Sequence, residues 1–422
     1  MIKSLAGSSR ILRGATTCLL TTTTTTTQAL RWSIRYYCNN TTTTTALPPY
    51  RILFFGTDDV SIHTLTKLHE NNMLKTGMIT PTSSSSLSTP QTTRVVEEIA
   101  VVCPNNSSEL VYQYARDNKI PMYHPDDEKG MKNFQVPLSP SNQPFDLAVV
   151  VSFGYFIPKA VLASFRYGGL NMHPSLLPRH RGAAPIYHTL LKGDKETGIS
   201  VIRLDANRFD VGDILQQRRI ALDPLTMYTP LRHELATTGA GMVLSTLTDF
   251  PEAAKNAWPQ GEDGATKAPK VNKLQSRIDW AAHDITTIWR LFRAFGDNIG
   301  IHTTIYSKKY KAWKRLRFTQ MVPPPHTLED SILEDQYVRL QLVIRSGRLN
   351  MDSVKPGSYF LNSGVMWVRC ANDGWVGFTS VHEEAKKKEV TAAEFLFGKG
   401  VVSPGSAAAD TIATLPETQH VV

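Results

Sequence analysis

A chain of 422 residues that is 41% hydrophobic and 20% charged is ordinary globular material, long enough for two or three domains. No apolar run reaches the about eighteen residues that a membrane-spanning helix needs, so no membrane partner is expected. The formal charge of +9 points instead to a polyanion such as nucleic acid.

Residues 1–49 contain Lys3, Arg10, Arg13, Arg31 and Arg35 and no carboxylate; the first acid is Asp58. Basic, Ser/Thr-rich and acid-free is the composition of an organelle transit peptide, a merely disordered tail being the alternative. Threonine runs at 21–27 and 41–45 cannot build a core. The expectation for 1–49 is a disordered transit peptide and a mitochondrial matrix address. Without its five cations the charge falls from +9 to +4, which weakens the polyanion argument but keeps its sign. Cys18 and Cys38 lie in this leader. Cys103 and Cys370 remain, with neither CxxC nor Cys/His ligand spacing, so neither a disulfide scaffold nor a metal site is expected.

YRILFFGT (Tyr50 to Thr57) predicts a strand, and the apolar positions behind Asp58 or Asp59 predict a helix that either carboxylate can cap. RVVEEIAVVC (Arg94 to Cys103) predicts a second strand, followed by a helix capped by Ser107 or Ser108 with Leu110, Val111 and Tyr114 on one side. Between these units TPTSSSSLSTPQTT (Thr80 to Thr93) is too polar to pack and reads as a disordered insertion. FDLAVVVSFG (Phe145 to Gly154) is a β-branched run suited to burial on both faces of a parallel sheet. Alternating strands and helices imply an open, doubly wound α/β sheet, whose ligands bind beyond the carboxyl ends of its strands. Gly56 lies outside any GxGxxG pattern, which speaks against a dinucleotide.

GGLNMHPSLLPRHRGAAPIYH (Gly168 to His188) places polar chemistry at such a strand end. Period-two alternation turns Leu170 and Met172 to one face and Asn171 and His173 to the other. Downstream, GISVIRL predicts a strand over 198–204, and Asp210 follows in FDVGDIL. Each residue has an ordinary explanation: Asn171 can satisfy a turn, His173 a hydrogen bond, and Asp210 can cap a turn before Gly212. Together, an amide, an imidazole and a carboxylate suit acyl transfer to an amine without a covalent intermediate, since the first two can donate to an oxyanion and the third can help take a proton. PSLLP fits no GxSxG elbow, so Ser175 is a poor nucleophile candidate.

NMHPSLLPRHRGAAPI resembles the N-x-H-x-SLLPxxRGxxPI signature of the 10-formyltetrahydrofolate-dependent formyltransferases, and FDVGDIL resembles their catalytic Asp segment. The resemblance implies a Rossmann-like domain over 50–250 that holds folate, with Asn171, His173 and Asp210 as the catalytic trio and Ser175, Leu176, Leu177 and Pro178 as the folate-contacting loop. Within that family the order of segments beyond Lys267 resembles the branch acting on methionyl-tRNA: a linker (251–272), a helix carrying RIDW, and an OB-like β-barrel domain (273–400), before a disordered tail (401–422). The implied reaction moves a formyl group from 10-formyltetrahydrofolate to initiator Met-tRNA in a monomeric enzyme.

The C-terminal half makes physical sense without the resemblance. KPGSYFLNSGVMWVRCANDGWVGFTSV is a string of short strands punctuated by Pro-Gly, Ser-Gly and Asp-Gly, the pattern of a small barrel. Its basic neighbours interleave cations with Tyr310, Trp313 and Phe318, a composition that suits a polynucleotide backbone. The cations expected to meet RNA are Arg179 and Arg181 with His180 between them, Lys270, Lys273, Lys314 and Arg315; Arg181 has a structural alternative, pairing within its loop. Two departures from the family pattern stand out. No long basic loop follows the second strand, where Arg116 is the first cation, and one extra residue separates Asp205 from Asp210. Two rival functions remain at this level: a formyltransferase or formyl-folate hydrolase acting on a small acceptor or water, and an RNA-binding protein without catalysis.

Overall fold

The computed structural model describes residues 48–74, 93–126, 128–307, 311–325, 334–346, 354–384, 386–398 and 413–414. The expected leader at 1–49 thus lies outside the described residues except at 48–49, as do Tyr310, the insertion at 80–93 except Thr93, and the tail at 401–422 except 413–414.

Strands β1 (Tyr50–Gly56), β2 (Val96–Val102), β3 (Met122–Tyr123), β4 (Leu147–Val151), β5 (Gly169–His173), β6 (Glu196–Arg203) and β7 (Ile214–Ala221) form a seven-stranded sheet in the order β3-β2-β1-β4-β5-β6-β7. Their alternation explains why the sheet is covered on both sides. Ile52, Phe54, Leu147, Val149 and Val151 join one apolar cluster, and Leu53, Phe55, Ala148 and Val150 join another. Helices α1 (Asp59–Asn72), α2 (Leu110–Asp117), α3 (Lys159–Leu162), α4 (Pro185–Lys192), α5 (Tyr228–Thr248) and α6 (Phe250–Lys255) divide between these layers. α1, α2, α4 and α5 contribute to the first, and α3 supplies Val161 and Leu162 to the second.

The sheet is parallel from β3 to β5, but β6 runs against both β5 and β7. This reversal departs from an all-parallel expectation. Residues 204–213 are too few for the crossover of about a dozen or more residues that a parallel β6–β7 pair needs. Asp58 caps α1, accepting from Val60 N (3.1 Å) and Ser61 N (3.3 Å). The expected serine cap of α2 is absent: Asn106 Oδ1 takes the Ser108 N–H and hydroxyl, the helix opens after Glu109 without a side-chain cap, and Val111 and Ala115, not Leu110, are buried.

The C-terminal sheet is antiparallel in every described pairing. It comprises β8 (Ile301–Ser307), β9 (Ala312–Met321), β10 (Ser358–Asn362), β11 (Val365–Arg369), β12 (Trp375–Glu383), β13 (Val390–Thr391) and β14 (Ala413–Thr414). Ser363 and Gly364, with φ of +48° and +79°, join β10 to β11 in the doubly left-handed turn that matches strand twist. The RIDW stretch is not helical. Ile278 N donates to His302 O (2.8 Å) and Trp280 Nε1 to Thr303 Oγ1 (3.3 Å), laying the segment along β8. The helix begins only at Ile285, capped by Asp284, and α7 (Ile285–Phe295) docks the two halves together. Its buried Arg293 donates to Thr226 O (2.9 Å) and Asp223 O (3.3 Å), and Trp289 Nε1 donates to Pro224 O (3.2 Å). No helix among the described residues is long and apolar enough to cross a membrane.

His302, only 6% exposed, lies on β8 beside Ser276 Oγ (3.1 Å). Burial first, then the charges of Arg315 and Arg277, push its pKa from 6.5 down to about 4. The unfolded chain therefore binds a proton at this site that the folded chain refuses, and stability falls as pH drops from 6.5 toward 4. Thermal melts across this range should flatten in His302→Gln; an unchanged pH slope would remove His302 as the cause.

Candidate active site

β5 delivers Asn171 and His173 to the same face, while Leu170 and Met172 enter the core opposite. Thirty-nine residues after Asn171, the turn leading into β7 brings back Asp210. Asp210 Oδ1 accepts from Asn171 Nδ2 (3.2 Å) and lies 3.6 Å from His173 Nδ1, while Oδ2 accepts the Gly182 N–H (2.9 Å). The carboxylate and imidazole are 11% and 6% exposed, so their mutual field is only weakly screened.

The hydrogen bond that orients the imidazole comes from elsewhere. His173 Nε2 lies 2.9 Å from the His180 carbonyl. A carbonyl only accepts, so Nε2 carries a proton, and the neutral ring keeps its lone pair on Nδ1, facing Asp210. Such a pair can take one proton between the two facing atoms. One N–H of the Asn171 amide is used on Asp210, which leaves the other for an oxyanion.

The signature loop is tied down by its own polar atoms. Ser175 Oγ donates to Arg179 O (2.7 Å), and Ser200 Oγ donates to Ser175 O (2.7 Å) while accepting the Leu177 N–H (3.1 Å). Leu177 packs with Ile202 and Ile214, Leu176 is buried, and Pro178 is half-buried. A cavity of about 320 Å³ is lined by Leu176, Arg179, His180, Thr189, Asp194 and Lys195; the trio does not line it, so it does not mark where acyl transfer would occur.

His180 is 2% exposed and cannot meet RNA phosphates as its place in a cationic loop suggested. Its Nε2 is 2.6 Å from Asp194 Oδ2, and Arg179 Nη2 donates to Asp194 Oδ1 (2.6 Å). Burial disfavours the Asp194 anion, but the bond and charge of His180 and then Arg179 outweigh it and hold the carboxyl below the usual carboxylate range. Arg181, its side chain 15% exposed, donates to Gln260 Oε1 (3.1 Å), Glu262 Oε2 (3.1 Å) and Gly261 O (3.3 Å), so it is paired within the protein as its structural alternative had it, but with a distant segment and not within its own loop. Lys270 and Lys273 are exposed, and Lys314 and Arg315 are half-buried on β9. Among the described residues no group of His, Cys, Asp or Glu could hold a metal ion, and Cys103 and Cys370 are buried free thiols.

Residues 180, 182 and 260 were invisible to sequence reasoning as partners of the trio. His180 acts on His173 through its backbone, Gly182 acts on Asp210 through an amide proton, and Gln260 stands in a stretch that reads as linker.

Residues 75–246 match the formyl transferase family, and residues 270–400 match the formyl transferase C-terminal domain. The mitochondrial methionyl-tRNA formyltransferase of Bos taurus is 33% identical over 354 residues, covering 83% of this chain and 78% of its own length. The Homo sapiens protein of the same description is 32% identical with the same coverage. The methionyl-tRNA formyltransferase of Rickettsia felis is 35% identical over 176 residues, 42% of this chain and 56% of its own. With similarity of this extent running through both sheets and the trio gathered on one carboxylate oxygen, the chain belongs to the mitochondrial methionyl-tRNA formyltransferase family.

Proposed function

We propose that this chain transfers the formyl group of 10-formyltetrahydrofolate to the α-amino group of methionyl-tRNA in the mitochondrial matrix, supplying formylmethionyl-tRNA for initiation. The observation that carries the reading is the convergence of Asn171 and His173 on one carboxylate oxygen of Asp210. In this reading residues 50–250 are the catalytic domain, 251–272 the linker and 273–400 the RNA-binding domain.

The amine lone pair attacks the formyl carbon, and the formyl oxygen becomes an oxyanion. The free N–H of Asn171 donates to it, a contribution of about 10² to 10³ in rate for one well-placed donor. The proton released by the attacking nitrogen passes to the Asp210–His173 pair, which starts with none between its facing atoms; His173 Nδ1 then donates to the oxyanion as well, and that same proton goes to the folate nitrogen as the carbon–nitrogen bond breaks and the carbonyl re-forms. Esterification to tRNA lowers the amine pKa and leaves more free base to attack. The loop Ser175–Pro178 contacts folate in this reading; the Ser175 hydroxyl and carbonyl and the Leu177 N–H already bond within the protein, so these groups shape the wall and are not donors to the ligand. Lys270 and Lys273, both exposed, are the best placed of the proposed RNA contacts, followed by Arg179, Lys314 and Arg315.

Incubating the chain with 10-formyltetrahydrofolate and Met-tRNA should yield formylmethionyl-tRNA, with none from uncharged tRNA. Equal turnover of a small amine, or release of formate to water at the same rate, would favour the small-acceptor reading. Binding of tRNA without any transfer would favour the non-catalytic one.

A further inference from the structure

The segment between the two sheets does more than connect them. Residues 266–268 lie along the signature loop: Thr266 N donates to Pro178 O (3.3 Å), Arg181 N to Thr266 O (2.9 Å), Ala268 N to Arg181 O (2.7 Å) and Ala184 N to Ala268 O (3.0 Å). A few residues earlier, one amide side chain reaches the turn that carries the carboxylate. Gln260 Nε2 donates to Asp210 O (3.0 Å) and to Gly212 O (2.8 Å), using both of its N–H bonds.

The orientation of that amide is itself determined. Gln260 Oε1 accepts from Arg181 Nε (3.1 Å), and a guanidinium only donates, so the oxygen must face Arg181 and the nitrogen must face the turn. The turn requires such a restraint. Asp210 has a φ of +56°, a left-handed conformation that a residue other than glycine keeps only where its surroundings impose it.

We propose that Gln260, oriented by Arg181, is a positioning residue for formyl transfer: it clamps the Asp210–Gly212 turn so that the carboxylate stays on Asn171 and beside His173 Nδ1. This rests on the role given to Asp210 above. Gln260 makes no contact with the trio's side chains among its hydrogen bonds, so its effect passes through the backbone of the turn.

Chemistry ranks the variants in an order that packing does not. Gln260→Glu keeps the shape and can still accept from Arg181, but it sets a carboxylate oxygen against two carbonyl oxygens. Gln260→Ala leaves a space that water can enter. Steady-state kinetics with Met-tRNA and 10-formyltetrahydrofolate should show kcat lowered about 10²-fold in Gln260→Glu and about tenfold in Gln260→Ala, since a displacement near 1 Å is enough for losses of this size. KM for Met-tRNA should stay within about twofold, as expected when an interaction used only in the transition state is lost. Arg181→Ala should lower kcat in the same direction, and the Arg181→Ala/Gln260→Ala double variant should be no slower than the slower single one, because both act through one clamp.

Gln260→Glu turning over as fast as or faster than Gln260→Ala, with the unaltered chain active, overturns the inference alone. So does Arg181→Ala raising KM for Met-tRNA with kcat unchanged, which would make Arg181 an RNA contact instead. Absence of transfer by the unaltered chain overturns the function reading and this inference with it.

Discussion

Asp210→Asn lowers kcat for formyl transfer by about 10³-fold while tRNA affinity stays within about twofold. The carboxylate uses both oxygens as acceptors, Oδ1 for Asn171 Nδ2 and Oδ2 for the Gly182 N–H. An Asn side chain has one acceptor oxygen, so its NH2 end must confront one of those two donors. It also removes the negative charge beside His173 Nδ1, which favours the protonated ring that forms during transfer. Single-turnover formylation separates this loss from product release, and a filter-binding measurement of tRNA affinity supplies the control. Unchanged turnover would remove Asp210 from the chemistry.

Gly212→Ala produces the second large effect, on stability and rate together. A Cβ built at Gly212 would stand 1.9 Å from Arg203 O and 2.9 Å from Arg203 C. Both are backbone atoms, held by the Arg203 N–H donating to Asp213 O (2.9 Å), so relief requires opening the start of the β6–β7 pair. That pair already shifts register between Val201 and Ile202. The expected cost is about 3 kcal/mol of stability, the upper part of the range for overpacking. Because Gly212 O is also one of the two acceptors of Gln260, the Asp210 turn moves with it, and kcat should fall about 10²-fold. Gly241→Ala is the matched control: it lies exposed on α5 with nothing within 4 Å of the added carbon, and helix propensity predicts a gain of about 0.5–1 kcal/mol. Equal melting temperatures for the two alanine variants would contradict the close-approach argument.

Sequence alone determined those features whose physics is local. Two-residue alternation separates Leu170 and Met172 from Asn171 and His173, and the structure has that division. A cap by Asp58 or Asp59 and a Ser-Gly turn depend only on a few neighbouring residues and were legible; the structure uses Asp58 and Ser363–Gly364. Where local rules compete, as between Asn106, Ser107 and Ser108 at the start of α2, the sequence named plausible caps and the chain used none of the serines.

Only the tertiary structure decided which distant groups meet. Asp210 reaches Asn171 because β6 is reversed and its following turn folds back, an outcome of strand pairing that no short window contains. Gln260 reaches Asp210 across 50 residues, and Arg181 reaches Gln260 across 79. Burial then changes what a side chain can do. His180 and Arg181 read as cations facing RNA, but enclosed groups must be paired within the protein, and they became the ties that hold Asp194 and Gln260. A residue's type limits the bonds it can make; packing of the whole chain selects which of them it does make.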